Sequence, residues 1–510
     1  MPFRRSAAAL LLAAALALPH AAWAQDQAAP PAPPPPPAAT ERPAEPDAQR
    51  SVTRHTLALP GGTLAYTAVT EFLPVREGGQ AEVIGRVFTT TYTLDGVEPG
   101  RRPVAFVFNG GPGAASAYLH LGALGPKVVR FNDDGSIPRP PQQLIDNPDT
   151  WLAFTDLVFI DPVGTGYSRA AKEGEDANKR FWNIESDTRY LSEIVRLWVA
   201  RNERWTSPKL LVGESYGGFR IARMAAELVQ NGGLAINALV MVAPAIDMAT
   251  VRGGATNLMS DAFRLPAMAA SAAEHGRVEE SPAAAAERAE RYALSEYLTG
   301  LATLDVGRLD ASAALFAEVA RLTGLPLEIV ERHRGRVPGS VFARELLRGQ
   351  GRVLSVYDGS FSGPDPNPAS PRIHEDPYLT GTVHVYSTAF TAYAQRELGV
   401  KAEVPFRLLS SAVNRAWEWP RGGHPSSFNE LQTVMSLVPG LHLMIAHGRN
   451  DLVTPYLASH WLAAQLELPD GQRGRIRLPV YDGGHMMYTL AGPRARLAAD
   501  ARALLDEALR

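Results

Sequence analysis

Cysteine is absent from the 510-residue chain, and with it every disulfide and any lipid attached through a terminal thiol. Whatever folds here is held by its core alone. Charge of one sign is scarce as well: 50 Lys and Arg stand against 53 Asp and Glu, a formal net charge of -3. So small an imbalance gives no strongly basic or acidic face of the kind that nucleic acid or an anionic membrane selects. Long apolar runs are also missing. The longest candidate, residues 7–19, falls well short of the roughly 20 residues that cross a bilayer.

That run has a different meaning. Arg4 and Arg5 precede it, and Ala22-Trp23-Ala24 follows with a small-x-small pattern. Together they read as a secretory leader over residues 1–24, cut after Ala24, which implies a soluble periplasmic or secreted product. Residues 25–50 carry PPAPPPPPAA and almost no large apolar side chains. Such a segment buries too little surface to fold and is expected to be a disordered, extended tether. The remainder has ordinary globular composition, 45% hydrophobic and 20% charged over the whole chain, and enough length for a core plus an insertion.

β-rich stretches at 52–59 and 81–94, set off by Gly61-Gly62 and Glu77-Gly78-Gly79, are expected as antiparallel edge strands. The pattern then changes to short runs apolar on both faces: VAFVFN (104–109), DLVFI (156–160), KLLVG (209–213) and ALVMVA (238–243). Strands of that kind suit a parallel sheet covered on both sides. Helical periodicity lies between them, notably at 184–201 and 216–228, so the alternation predicts a doubly wound α/β sheet. From 248 to 436 the strand signal fades and helical stretches take over, one with Ser281 at the N-cap and Pro282 at N1. A Pro/Gly/Asp-rich segment at 357–377 fits neither assignment. Sheet pattern resumes at LHLMIA (441–446) and RIRLPVY (475–481), and an amphipathic helix closes the chain, with Leu497, Ala501, Leu504, Leu505 and Ala508 inward. Residues 51–247 and 437–510 are therefore read as one core and 248–436 as an inserted, mainly helical cap.

The chemistry-bearing signal is GESYGG, with Gly213, Ser215 and Gly217 in G-x-S-x-G spacing. By residue usage alone such a match arises in about one chain in ten of this length, so spacing by itself decides little. Its placement decides more, because it follows the strand KLLVG and opens a helical pattern, as a nucleophile elbow requires. A serine needs a base, and the base an orienting acid. In an α/β-hydrolase fold the chain order is Ser, acid, His. Asp451 follows LHLMIA and His485 follows RIRLPVY, both where a parallel sheet presents its carboxyl-end loops. Ser215, Asp451 and His485 are thus the candidate triad, with Asp247, after ALVMVA, the competing acid. Two backbone N–H groups must meet the oxyanion. Tyr216, next after the serine, is one candidate, and the loop Asn109-Gly110-Gly111-Pro112-Gly113 offers the other at Gly111. No pattern calls for a metal or a cofactor.

At these residues the chain resembles the serine carboxypeptidase family (peptidase family S10), in its cysteine-free bacterial form. NGGPG with GALGP (122–126), FIDPVGTGYS (159–168), GESYGG, GRND (448–451) and GGHM (483–486) match in order, from about 100 to 490, with the cap matching least. The resemblance implies hydrolysis of the last peptide bond of peptides and proteins through an acyl-enzyme. It also implies that Asn109, Gly110 and Glu214 bind the substrate's terminal carboxylate, Glu214 as the neutral acid. A carboxyl beside the nucleophile would otherwise repel that anion. Glu214→Gln is then expected to flatten the acid limb of the pH profile. Two positions depart from the family: Ala123 stands where a second glutamate is usual, and Ala114 replaces a cysteine common in eukaryotic members. A proline iminopeptidase-like or esterase-like hydrolase shares the fold and a related Gly-Gly-Pro-Gly loop, usually headed by His. A catalytically silent binding protein on the same scaffold is the reading from another class.

Overall fold

A computed structural model describes residues 50–76, 82–172 and 174–510, except for the Glu175 side chain. The expected leader and nearly all of the Pro-rich segment lie outside the described residues. Among the described residues no helix is long and apolar enough to cross a membrane.

The main sheet contains β1 (Ser51–Leu59), β2 (Gly62–Arg76), β3 (Val83–Leu94), β4 (Val104–Phe108), β5 (Asp156–Ile160), β6 (Lys209–Glu214), β7 (Ala238–Val242), β8 (His442–Gly448) and β9 (Ile476–Arg477). Their spatial order is β1-β2-β3-β5-β4-β6-β7-β8-β9. The pairs β1–β2, β2–β3 and β3–β5 are antiparallel. From β5 to β9 every neighbouring pair is parallel. This is the α/β-hydrolase architecture.

The sequence pattern is visible in how side chains divide between the two faces. Ala105, Val107, Leu157, Phe159, Leu210, Val212, Val240 and Val242 point to one core. Their neighbours Val104, Phe106, Phe108, Val158, Ile160, Leu211, Leu239 and Met241 point to the other. Period-two alternation with both faces apolar leaves the central strands wholly buried, each large side chain contributing about 1.5–3 kcal/mol. One core is closed by the helices Pro377–Arg396 and Ala491–Ala508. The helices α1 (Ile184–Arg201), α2 (Tyr216–Gln230) and α3 (Phe428–Leu437) close the other. In the C-terminal helix Leu497, Ala501, Leu504 and Leu505 are buried, while Ala508 is half-buried.

Several local expectations change. Within the 81–94 stretch Val83–Leu94 forms β3, which lies inside the sheet between β2 and β5 rather than at its edge. The long β2 separates it from β1, and its Thr, Glu and Pro residues obscure the alternation in the sequence. RIRLPVY is not one strand: Ile476–Arg477 and Val480–Tyr481 each pair with β8, on either side of Leu478-Pro479. The 248–436 segment divides in its packing. Residues 262–354 supply most of a third core, which Leu452, Tyr456 and Leu457 also enter, whereas 378–435 contribute to the two sheet cores. Ser281 does cap its helix, Oγ accepting the Ala284 N–H at 3.3 Å. The segment that fitted no pattern is held by polar contacts instead. Arg352–Leu354 pairs with Ser362–Pro364, and the Asp376 carboxylate accepts the N–H groups of Tyr378 and Leu379 at the start of the next helix.

The topology fixes where a site can form. The chain leaves β4 toward β5 on one side, then returns past β4 to β6 on the other. The loops after β4 and β6 therefore part at the switch point, where an α/β sheet opens a crevice at its carboxyl edge. Phe108 pairs with Gly213 across β4 and β6, so Asn109 falls beside Glu214 and Gly110 beside Ser215.

Candidate active site

Ser215 occupies the bend between β6 and α2 with φ 59° and ψ −123°. A non-glycine residue in that region is strained by on the order of 1–3 kcal/mol, so surrounding contacts must impose it. They do so from three directions. The Ser215 N–H donates to Val242 O at 2.9 Å, and Ser215 O accepts the N–H groups of Gly218 at 2.9 Å and Ala245 at 3.1 Å. The turn is tight enough that a Cβ on Gly213 would lie 2.2 Å from Gly217 O. That contact is why the motif needs glycine there.

Asp451 is fully buried in the loop after β8, its Oδ1 accepting the N–H groups of Val453 at 2.8 Å and Thr454 at 3.0 Å. Its Oδ2 lies 2.7 Å from His485 Nδ1. Thr454 Oγ1 joins the pair, 2.7 Å from Asp451 Oδ2, 3.1 Å from His485 Nδ1 and 2.9 Å from Ala243 O. Its single proton can go to either oxygen, leaving a lone pair for the ring N–H. With Nδ1 engaged on the acid side, Nε2 is the nitrogen left to take a hydroxyl proton. Among the described residues no hydrogen bond joins Ser215 Oγ to the ring, whose hydrogen bonds are those to Asp451 and Thr454. Burial alone would lower the imidazole pKa, but the Asp451 charge and hydrogen bond outweigh it and raise it above the ordinary value. The rival acid has another use. Asp247 Oδ1 accepts the Ala249 N–H at 2.7 Å and caps the short helix Met248–Val251.

Tyr357 secures the histidine loop. Tyr357 O accepts the His485 N–H at 2.6 Å, and the Tyr357 ring stands edge-on to the imidazole with centroids 5.5 Å apart.

The β4 loop meets the elbow backbone to backbone. A Cβ on Gly110 would lie 2.6 Å from both Glu214 O and Tyr216 N and 2.9 Å from Ser215 Cβ. Beside it, Gly111 is exposed. Neither the Gly111 nor the Tyr216 N–H has a backbone acceptor among the described residues. Tyr216 follows the nucleophile at the first position of α2, where helix N–H groups lack internal partners, and Gly111 follows the Gly110 that packs against the elbow.

Glu214 is buried just behind the serine. The Asn109 amide donates to its Oε2, and the Tyr488 hydroxyl lies 3.0 Å from Oε1 and 2.9 Å from Oε2. Asn109 is oriented by its own Oδ1, which accepts the Leu119 N–H at 3.1 Å. Burial pushes the Glu214 pKa up to about 7, against the opposing effects of His485, Tyr488 and Asn109, with Asp451 adding to the rise. Ala123 is buried, and no second carboxyl enters from that position.

Sequence reasoning missed three contributors. Thr454 bridges acid and base, and Tyr488 binds Glu214. Arg220, on α2, donates to Asp187 Oδ2 at 2.7 Å and to Asn109 O at 2.6 Å, tying the β4 loop to a fully buried ion pair. The spacing of Arg220 five residues after Ser215 gave no hint. Tyr488 stands three after His485, close enough in sequence to have been suspected. Among the described residues no His, Asp or Glu cluster is arranged to hold a metal ion.

A sequence model of the family described as "Serine carboxypeptidase" matches residues 88–289. Over that stretch the chain is similar to the serine carboxypeptidase family. The matched stretch contains Asn109, Gly110, Gly111, Glu214, Ser215 and Tyr216, whereas Asp451 and His485 lie beyond it. Serine carboxypeptidase 1 of Hordeum vulgare is 26% identical over 137 residues, 26% of this chain and 26% of the relative. A pheromone-processing carboxypeptidase, KEX1, of Ogataea parapolymorpha is 31% identical over 133 residues, 25% of this chain and 19% of the relative. The alignments thus span about a quarter or less of those two relatives. The crystal structure of a prohormone-processing carboxypeptidase from Saccharomyces cerevisiae superposes with a TM-score of 0.54 at 18% identity, covering 86% of this chain and 92% of that one. At that identity the likeness establishes the fold alone.

Proposed function

We propose that the protein is an exported serine-type carboxypeptidase that releases the C-terminal residue of peptides through an acyl-enzyme on Ser215. The observation that carries this reading is a buried carboxyl, Glu214, held by Asn109 and immediately preceding the nucleophile. An esterase has no evident use for an acid there, but a site that must receive a carboxylate does. The neutral Glu214 donates one hydrogen bond to the substrate's terminal carboxylate, and Asn109 and the Gly110 backbone complete its seat.

The Ser215 oxygen attacks the last peptide carbonyl while His485 Nε2 takes the hydroxyl proton, with Asp451 and Thr454 fixing the ring. Negative charge moves to the carbonyl oxygen between the N–H groups of Gly111 and Tyr216, each worth on the order of 100- to 1000-fold in rate. Collapse breaks the C–N bond, and His485 returns the proton to the leaving amine. Water then attacks the ester by the same route, releasing the shortened peptide and restoring Ser215. Export rests on the basic, apolar and small-x-small pattern of residues 1–24.

The test compares N-blocked dipeptides bearing a free C-terminus with their C-terminal amides. The acids should be cleaved and the amides spared, and Ser215→Ala should abolish the reaction. Equal rates on both would leave a hydrolase without carboxypeptidase selectivity. Failure of Ser215 to react with a fluorophosphonate would indicate a silent scaffold.

A further inference from the structure

Glu214 is surrounded by phenols. Tyr488 contacts both of its carboxyl oxygens. Tyr118, from the segment after the β4 loop, and Tyr386, from the helix Pro377–Arg396, pack ring to ring with centroids 5.0 Å apart, their buried hydroxyls unpartnered among the described residues. Tyr386 OH would lie 2.8 Å, and Tyr488 Cε2 2.5 Å, from a Cβ placed on Gly122, next to Ala123. Tyr488 therefore reaches Glu214 alongside the position where a second acid would stand.

We propose that Tyr488 is a positioning residue that governs the proton on Glu214, and so sets the pH range over which a free C-terminus is bound. This rests on the carboxypeptidase reading. A phenol donating to a carboxylate stabilises the charged form, whereas a second acid sharing the proton would split the titration of the pair. Asn109 also donates, to Oε2, and its amide cannot turn over without losing the Leu119 N–H. Burial opposes both donors. The titratable groups facing Glu214 are His485, Asp451, Tyr488, Tyr118 and Tyr386. The three phenols are all raised above their ordinary range by burial and stay neutral. A neutral hydroxyl on the carboxyl thus acts by hydrogen bonding alone, and it holds the acid in one orientation toward the elbow.

Tyr488→Phe keeps the ring and removes the donor. In the full-length enzyme, the alkaline midpoint of kcat/KM for an N-blocked dipeptide acid should move up by about one pH unit, as expected for one hydrogen bond to a charged group. The profile for the matching C-terminal ester, which presents no carboxylate, should stay put. Infrared titration of the Glu214 carboxyl band, assigned with Glu214→Gln, should move upward by the same amount. Site-specific 3,5-difluorotyrosine at 488, a stronger donor, should move both downward. A Glu214 band that titrates alike in all three proteins overturns the proposal whatever the substrate. A wild-type enzyme that handles acid and ester alike at every pH overturns the carboxypeptidase reading instead, and the infrared result still decides the role of Tyr488.

Discussion

Gly110→Ala is the sharpest test of how the site is assembled. A methyl group there would sit 2.6 Å from Glu214 O and Tyr216 N and 2.9 Å from Ser215 Cβ. The first two are backbone atoms of the elbow, so no flexible side chain can swing aside. Relief requires the β4 loop or the elbow to retreat by roughly 0.8 Å, the shortfall from an ordinary 3.4 Å contact. A displacement of that size at a reacting centre costs about 100-fold in rate. Removal of one oxyanion donor costs about 100- to 1000-fold, so the expected loss in kcat lies in the same range. KM should change far less. Overpacking at one buried point destabilises by about 1–3 kcal/mol, which thermal unfolding can follow separately. The assay is steady-state hydrolysis of an N-blocked dipeptide, with fluorophosphonate labelling as a count of competent serines. A folded variant with kcat within about threefold of wild type would refute the contact as a determinant of oxyanion geometry.

Two further outcomes follow from groups beside the elbow. With its pKa near 7, Glu214 is neutral below that value and ionised above it, so binding of free acids is full on the acidic side and lost on the alkaline side. Glu214→Gln should flatten the alkaline limb of kcat/KM for dipeptide acids and leave the rising limb, which belongs to His485; a retained alkaline limb would contradict this. Arg220→Met should destabilise the fold by about 3–5 kcal/mol in denaturant titration, because Asp187 is left charged and buried without its partner. Adding Asp187→Leu should recover much of that loss, and no recovery would mean that the hydrogen bond from Arg220 to Asn109 O dominates.

What was legible in the sequence is what local pattern encodes. Strand-turn-helix spacing marked the bend at Ser215, which the structure has between β6 and α2, and the order after the last strands pointed to Asp451 and His485, which do meet. The ring nitrogen and Asp451 Oδ2 are 2.7 Å apart although 34 positions separate them. Contacts set by register and by packing were not legible. Asn109 meets Glu214 because Phe108 pairs with Gly213, and no window of sequence contains both strands. Tyr488 and Arg220 act across the core on partners far along the chain, Glu214 and Asn109, and read in sequence as ordinary helix and loop residues. The pH expectation also had the wrong sign. A carboxyl that works when neutral fails as pH rises, so its titration shapes the alkaline limb. The division of 248–436 depended on which helices lie on the sheet, and amphipathic periodicity cannot name the surface an apolar stripe will find.

The hydrogen bond from the His485 N–H to Tyr357 O also bears on protein engineering. A chimera that exchanges residues 248–436 would replace Tyr357 and must supply another carbonyl in register with the His485 backbone N–H. Swaps confined to residues before 352 would leave that contact and the short strand pair beside it in place.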